Sequence, residues 1–295
     1  ECCMLSTRTT EDRIVDSVIC IILVMVSIAA VYPFYYVLMM SFNAGTDTTI
    51  GGLYLWPRKV TLDNYVKFFT DANWLKALNV TVARTVIGAL LGVLFTMLVA
   101  YGLSTRDLVF RKLYFTLVIF SMYFSGGLIP FYVVLRSLHL LNSFWVYVIP
   151  TMLNTFFLLI AISFFRELPA EVRESARIDG AGEMTIFLRI ILPVSKPLVA
   201  TMALFLGVGQ WNSWLDSAYF VQNNNLRTLS YRMIEIIKTS QIPADSVSYA
   251  AGASSVTAYS LQLAALVLSI APILCVYPFL QKYFVQGIML GSVKA

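Results

Sequence analysis

Gln210, Trp211, Asn212, Trp214 and Asp216 stand close together in an otherwise apolar stretch, bringing two amides, two indoles and a carboxylate into one place. Indole faces suit the apolar CH patches of a sugar ring, and amides or carboxylates bond its hydroxyls, so these five residues form a candidate substrate path. Polar groups at membrane depth are costly in lipid and face a cavity or a neighbouring helix. A tryptophan belt at the interface, with polar groups bonding across helices, explains the same residues and is the reading this rule favours.

A second group lies in a polar insert between two long apolar runs: Glu174, Ser175, Ala176, Asp179, Gly180, Ala181, Leu192 and Pro193. The spacing predicts a short helix over 171–178, a tight turn at Gly180, and a second helix starting beside Asp179. The Asp179 carboxylate is placed to cap free amides, with Glu183 in the first turn. Ala176, Ile178 and Ala181, flanked by Glu174 and Asp179, are expected to expose a small apolar surface that fits a groove on a soluble partner. An amphipathic hairpin lying on the membrane accounts for the pattern equally well.

The elements that position these groups follow from composition. At 59% hydrophobic, 13% charged and a mean hydropathy of +0.77, the chain reads as an all-α integral membrane protein. Crossing a hydrocarbon core takes about 20 apolar residues, and six runs qualify: 14–40, 84–103, 113–135, 144–165, 198–221 and 261–283. Ser125, Gly126, Gly127 and Pro130 interrupt the third. Gly88 and Gly92 in the second have the small-xxx-small spacing that lets helices approach closely.

Basic residues orient the spans. Arg106, Arg111 and Lys112 follow the second; Arg166, Arg173, Arg177, Arg189 and Lys196 follow the fourth; Arg8, Arg13, Lys282 and Lys294 flank the ends. That side is expected to be cytoplasmic, including both termini and a tail over 1–13, with 14–295 forming one transmembrane domain. The net charge of +5 then reads as topology, not as a nucleic-acid patch. The polar insert covers 167–196, a segment that looks like a coupling element, and the long connections 43–83 and 222–260 are expected to lie outside, where loops of this length are usually functional. Cys2 and Cys3 sit in the tail and Cys20 and Cys275 in apolar runs, so no disulfide or zinc framework is expected. His139 is the sole histidine, which leaves no catalytic set and no metal site. No Gly-rich phosphate loop is present, so ATP is not expected to bind this chain.

Glu174, Ala176, Gly180, Ile190, Leu192 and Pro193, at their spacing, resemble the EAA signature of the permease subunits of binding-protein-dependent ABC importers, with Ser175 departing from the usual Ala. Asp179-Gly180-Ala181 is similar to the carbohydrate branch, as are Thr61-Leu-Asp-Asn-Tyr65, Ala100-Tyr-Gly-Leu103, Trp211-Asn212 and the stretches from Phe284 to Gly287 and Gly291 to Lys294. The resemblance spans nearly the whole chain and is strongest to the maltose-type second permease, in the oligosaccharide and multiple-sugar branch. It implies a type I ABC importer fold with six spans and a cytoplasmic coupling helix, in a prokaryotic plasma membrane. It also implies a heteromeric complex with a homologous second permease, an external sugar-binding protein and two cytoplasmic ATPases that hold ATP and Mg. Glu174 to Ala181 would be the coupling helix, and the chain itself would not be an enzyme. A permease for an amino acid or polyamine, an ion-coupled secondary transporter and a non-transporting scaffold are the alternatives.

Overall fold

The computed structural model describes residues 10–52, 55–105, 108–240 and 256–292. Cys2, Cys3, Arg8, Arg106, Lys294 and much of the 222–260 connection lie outside the described residues. The helices in chain order are α1 (Thr10–Ser41), α2 (Gly45–Ile50), α3 (Asp63–Thr70), α4 (Ala72–Ser104), α5 (Arg111–Tyr123), α6 (Leu128–Ser137), α7 (Thr155–Glu167), α8 (Glu171–Ile178), α9 (Glu183–Ile186), α10 (Leu192–Val194), α11 (Lys196–Asn212), α12 (Leu215–Phe220), α13 (Leu229–Ser240) and α14 (Ala258–Ser292). Among the described residues three helices are long and apolar enough to span a membrane, over 14–41, 72–104 and 258–275, and three bent pairs qualify if each is one span. Six spans result if every pair counts.

The spans differ from the sequence expectation in ways that matter for the site. The second begins at Ala72, not Arg84, because Asp71 caps it by accepting from the Asn73 amide and the helix runs unbroken through Asn79, Thr81 and Arg84. The outer connection therefore ends near residue 71 and carries α2 and α3. The third breaks as its glycines foretold: α5 and α6 meet at 117°, with Gly127 at φ +82°. The fourth opens in 3₁₀ turns at Phe144–Tyr147 and Ile149–Thr151 and turns 43° into α7. The fifth ends its main helix at Asn212; Ser213 and Trp214 interrupt it before α12.

Two compact units divide the chain, 1–68 with 239–268 and 69–238 with 269–295. In the first, the side chains of α1 over residues 14–34 are exposed, as expected of a surface solvated by lipid. Asn64, from the Thr61–Tyr65 motif, is buried and donates its amide to the Ser41 and Asn43 carbonyls at 2.9 Å each, which ties down the end of α1. In the second unit α4 packs against α7 and α11. Met97, Leu158, Ala161, Ile162, Phe165 and Met202 are almost fully buried there and join Ala176, Ile186 and Ile191 in one core.

Candidate functional site

The polar insert forms a helix with a defined stop. α8 covers Glu171–Ile178 as its pattern predicts, and Gly180 follows at φ +77°. The Gly180 amide reaches the Arg177 carbonyl at 3.0 Å, and the Ala181 amide reaches Ala176 at 2.9 Å. That pair of bonds is a Schellman stop, which requires a left-handed residue and therefore favours glycine. Asp179 is the C-cap of α8, not the cap of the next helix; Gly182 starts that helix with no side-chain cap.

Ala176 is also not exposed. It is buried in the bundle core, where a small side chain lets α8 approach the spans. Ala181 packs beside it, whereas Ile178 is 86% exposed and Glu174, Ser175, Asp179 and Gly180 face outward. The most exposed apolar residue of α8 is therefore Ile178, with Val172 less so and Met184 exposed on the following turn.

Charged side chains of the insert that bond neutral groups at the feet of the spans hold this hairpin. Arg173 donates to Ser104 Oγ at 3.1 Å and lies over the Tyr101 ring, 4.9 Å from its centroid. The Tyr101 hydroxyl donates to Glu183 at 2.5 Å, and Arg177 donates to the other Glu183 oxygen at 2.8 Å. In the polar insert, the Tyr101 hydrogen bond first, and Arg177 after it, hold the Glu183 carboxyl below the ordinary carboxylate range against burial, which ranks between them and raises it. Tyr101 comes from the Ala100–Leu103 stretch. The sequence marked that stretch by resemblance without showing which side chain reached the insert.

After α9 the chain takes one π-turn at Phe187–Ile191, passes Leu192 and Pro193, and bends 84° at Ser195 into α11. The Leu192 amide bonds the Phe187 carbonyl, five residues back, and Pro193 has no amide to offer. Leu192 is half-buried and Pro193 exposed. These two residues shape the elbow that joins the insert to the fifth span.

The five residues of the candidate path separate. Gln210 and Trp211 are buried, Trp214 and Asp216 half-buried and Asn212 exposed. Trp211 Nε1 donates to the Ser269 carbonyl at 2.9 Å. Gln210 and Asp216 are both taken up by Arg84, which the sequence had placed at the edge of the second span. Because α4 begins at Ala72, Arg84 stands about 18 Å along the helix and is 1% exposed. An ionisable residue inside a span was the signal, hidden by the misplaced start. Gly88 contributes space: a Cβ there would lie 2.8 Å from Gln210 Nε2, so the close approach expected of the small-xxx-small pair is real at this position. Beside Trp211 an almost wholly apolar cavity of about 350 Å³ is lined by Thr85, Ala89, Gly207, Pro272 and Ile273 among others. Among the described residues no group of His, Cys, Asp and Glu could hold a metal ion.

With this geometry established, comparison with known proteins identifies the chain. Residues 88–290 match the model of the binding-protein-dependent transport system inner membrane component. The chain belongs to that family. This permease is 37% identical to the protein LplC of Bacillus subtilis, over 97% of both chains. It is 36% identical to the polygalacturonan/rhamnogalacturonan transport system permease protein YtcP of the same organism, over 96% of this chain and 99% of that one. An arabinooligosaccharides transport system permease protein, AraQ of Halalkalibacterium halodurans, is 29% identical over 91% and 93%. Among solved structures, a chain of a bacterial ABC transporter involved in the import of the acidic polysaccharide alginate superposes with a TM-score of 0.86. It is 27% identical, with 94% of this permease and 98% of that chain covered. The permease is thus an all-helical inner membrane component of a binding-protein-dependent ABC importer, with the type I permease fold.

Proposed function

We propose that this permease forms half of the translocation path for an oligosaccharide, beside a homologous second permease, and couples that path to two separate ATPases through the segment around α8. ATP and Mg belong to the ATPases, and an external binding protein delivers the sugar. The observation that carries the reading is family membership over 88–290, joined by relatives named for polygalacturonan, rhamnogalacturonan and arabinooligosaccharides. The coupling role draws support from the form of α8: a helix fastened to the spans by Arg173 and Glu183 while Ile178 and Gly180 stand free. A rigid projection of this kind, pinned at its base, converts movement of a soluble partner into tilting of the spans. The excess of Arg and Lys on that connection supports a cytoplasmic side for it and for both termini. Membership of the importer family displaces the ion-coupled carrier and the scaffold as readings of the chain.

The test is to reconstitute the permease with its companion and ATPases and measure ATP hydrolysis stimulated by sugar-loaded binding protein. Gly180→Trp forces a bulky side chain into left-handed backbone, at a cost of about 1–2 kcal/mol, in a place where a Cβ meets nothing within 4 Å. The complex should assemble and lose the stimulation; a Gly180→Trp complex stimulated like the wild type would end the coupling assignment.

A further inference from the structure

Arg84 has five N–H donors, and the structure gives each of them an acceptor. Nε and Nη2 donate to Gln210 Oε1 at 3.1 and 2.8 Å. Nη1 donates to Asp216 Oδ1 at 3.0 Å and to the Ser213 carbonyl at 3.3 Å. The second Nη2 hydrogen goes to Asp216 Oδ2 at 2.5 Å. The guanidinium lies over the Tyr147 ring, 4.4 Å from its centroid. Full use of the donor fork around a buried cation is the condition under which such a charge is tolerated.

What matters is where the acceptors lie. Gln210 stands in the last turn of α11, Ser213 in the interruption, and Asp216 in the first turn of α12. One residue of the second span thus grips the fifth on both sides of its break. Gln210 cannot turn away, because its amide donates to Thr151 Oγ1 at 2.7 Å and to the Tyr147 carbonyl at 3.3 Å, and Gly88 leaves just enough room for it. Between its ends the grip leaves out Trp211, which is buried and bonded to Ser269, and Asn212, Trp214 and Leu215, of which Asn212 is exposed and Trp214 half-buried.

We propose that Arg84 is a positioning residue for transport: it fixes the interruption in the fifth span and so sets where Asn212 and Trp214 stand toward the path, without touching sugar itself. This rests on the oligosaccharide reading above. A lysine at the same place keeps the charge but not the planar fork, and cannot reach Gln210, Ser213 and Asp216 together.

The test uses the assembled importer. Arg84→Met/Asp216→Leu removes both charges together, and replacing a buried pair by apolar residues is often neutral for stability. Asn212→Cys is placed in this background and in the parent, and its reaction rate with a water-soluble maleimide is compared, after subtracting the parent's own cysteines. We expect the rate to change at least about threefold, and sugar uptake to fall at least about tenfold, since small misplacements cost this much or more. Assembled double variant with wild-type labelling overturns the proposal, whether or not uptake falls. If the double variant does not assemble, Arg84→Lys decides: labelling and uptake both equal to the wild type overturn it, and a change in labelling supports it. If no sugar is transported even by the wild type but labelling still shifts, the oligosaccharide reading fails and the positioning role of Arg84 stands.

Discussion

The Arg84 cluster and the α8 hairpin are both polar islands in an apolar chain, and they are built oppositely. Around Arg84 every guanidinium donor is matched, and Gln210 spends both amide hydrogens. At the hairpin the contacts gather at the base, on Arg173, Arg177, Glu183 and Tyr101, while Ile178, Asp179 and Gly180 lie open. The difference separates a polar group that shapes its own chain from a surface left free for another protein. Unpaired polarity inside a bilayer costs several kcal/mol, whereas an exposed isoleucine at a tip costs little until a partner covers it.

The sharpest way to break this contrast is to unbalance the sealed cluster. Asp216→Leu leaves Arg84 buried without its counter-ion, and an arginine cannot shed its proton to escape. Removing one member of such a pair should destabilise by about 3–5 kcal/mol. Thermal unfolding of the purified importer should show this as a marked loss of stability and yield, against near-normal behaviour when Arg84→Met accompanies it. Equal stability of the single and double variants would mean that the pair is solvated. Gly88→Leu attacks the same cluster sterically and should cost about 1–3 kcal/mol by overpacking, visible in the same melt; an unchanged melt would show that Gln210 has room to move.

Tyr101→Phe probes the base of the hairpin and should cost about 1 kcal/mol with a definite pH dependence. The folded Glu183 carboxyl titrates below its unfolded value, so its stabilisation is full above the ordinary carboxylate range and is lost as pH falls through the depressed value. The gap between wild type and variant should therefore be present at neutral pH and close in acid, as pH falls below the ordinary carboxylate range. A gap that widens in acid would refute that linkage. Ile178→Ser should move stability by no more than about 0.5 kcal/mol while weakening co-purification of the ATPase. Unaltered co-purification would leave the tip without a docking role.

Much of the hairpin was legible in advance because its signals are local: a helix over 171–178, a glycine two residues past its last turn, and a proline at the elbow. What local pattern misjudged was the inward side. Ala176 is small because α8 must touch the core, not because a partner must reach it. The site in the fifth span was half legible. Gln210 and Asp216 were conspicuous, but their partner stood on another helix and no periodicity links the two. The start of α4 was misplaced because Asn79, Thr81 and Arg84 lower hydropathy, while buried bonding to later segments offsets the cost of Thr81 and Arg84. Thr81, for example, accepts from the Leu229 amide at 2.8 Å.

The grip between the second and fifth spans also has a history in time. Asp216 follows Arg84 by 132 residues. At about 5–20 residues per second, the arginine emerges from the ribosome about 7 to 26 seconds before its counter-ion exists. An uncompensated arginine near the middle of a membrane helix costs up to about 3 kcal/mol to insert. The apolar residues of the second span must offset that cost until the fifth arrives, which makes synthesis order part of how this bundle is assembled.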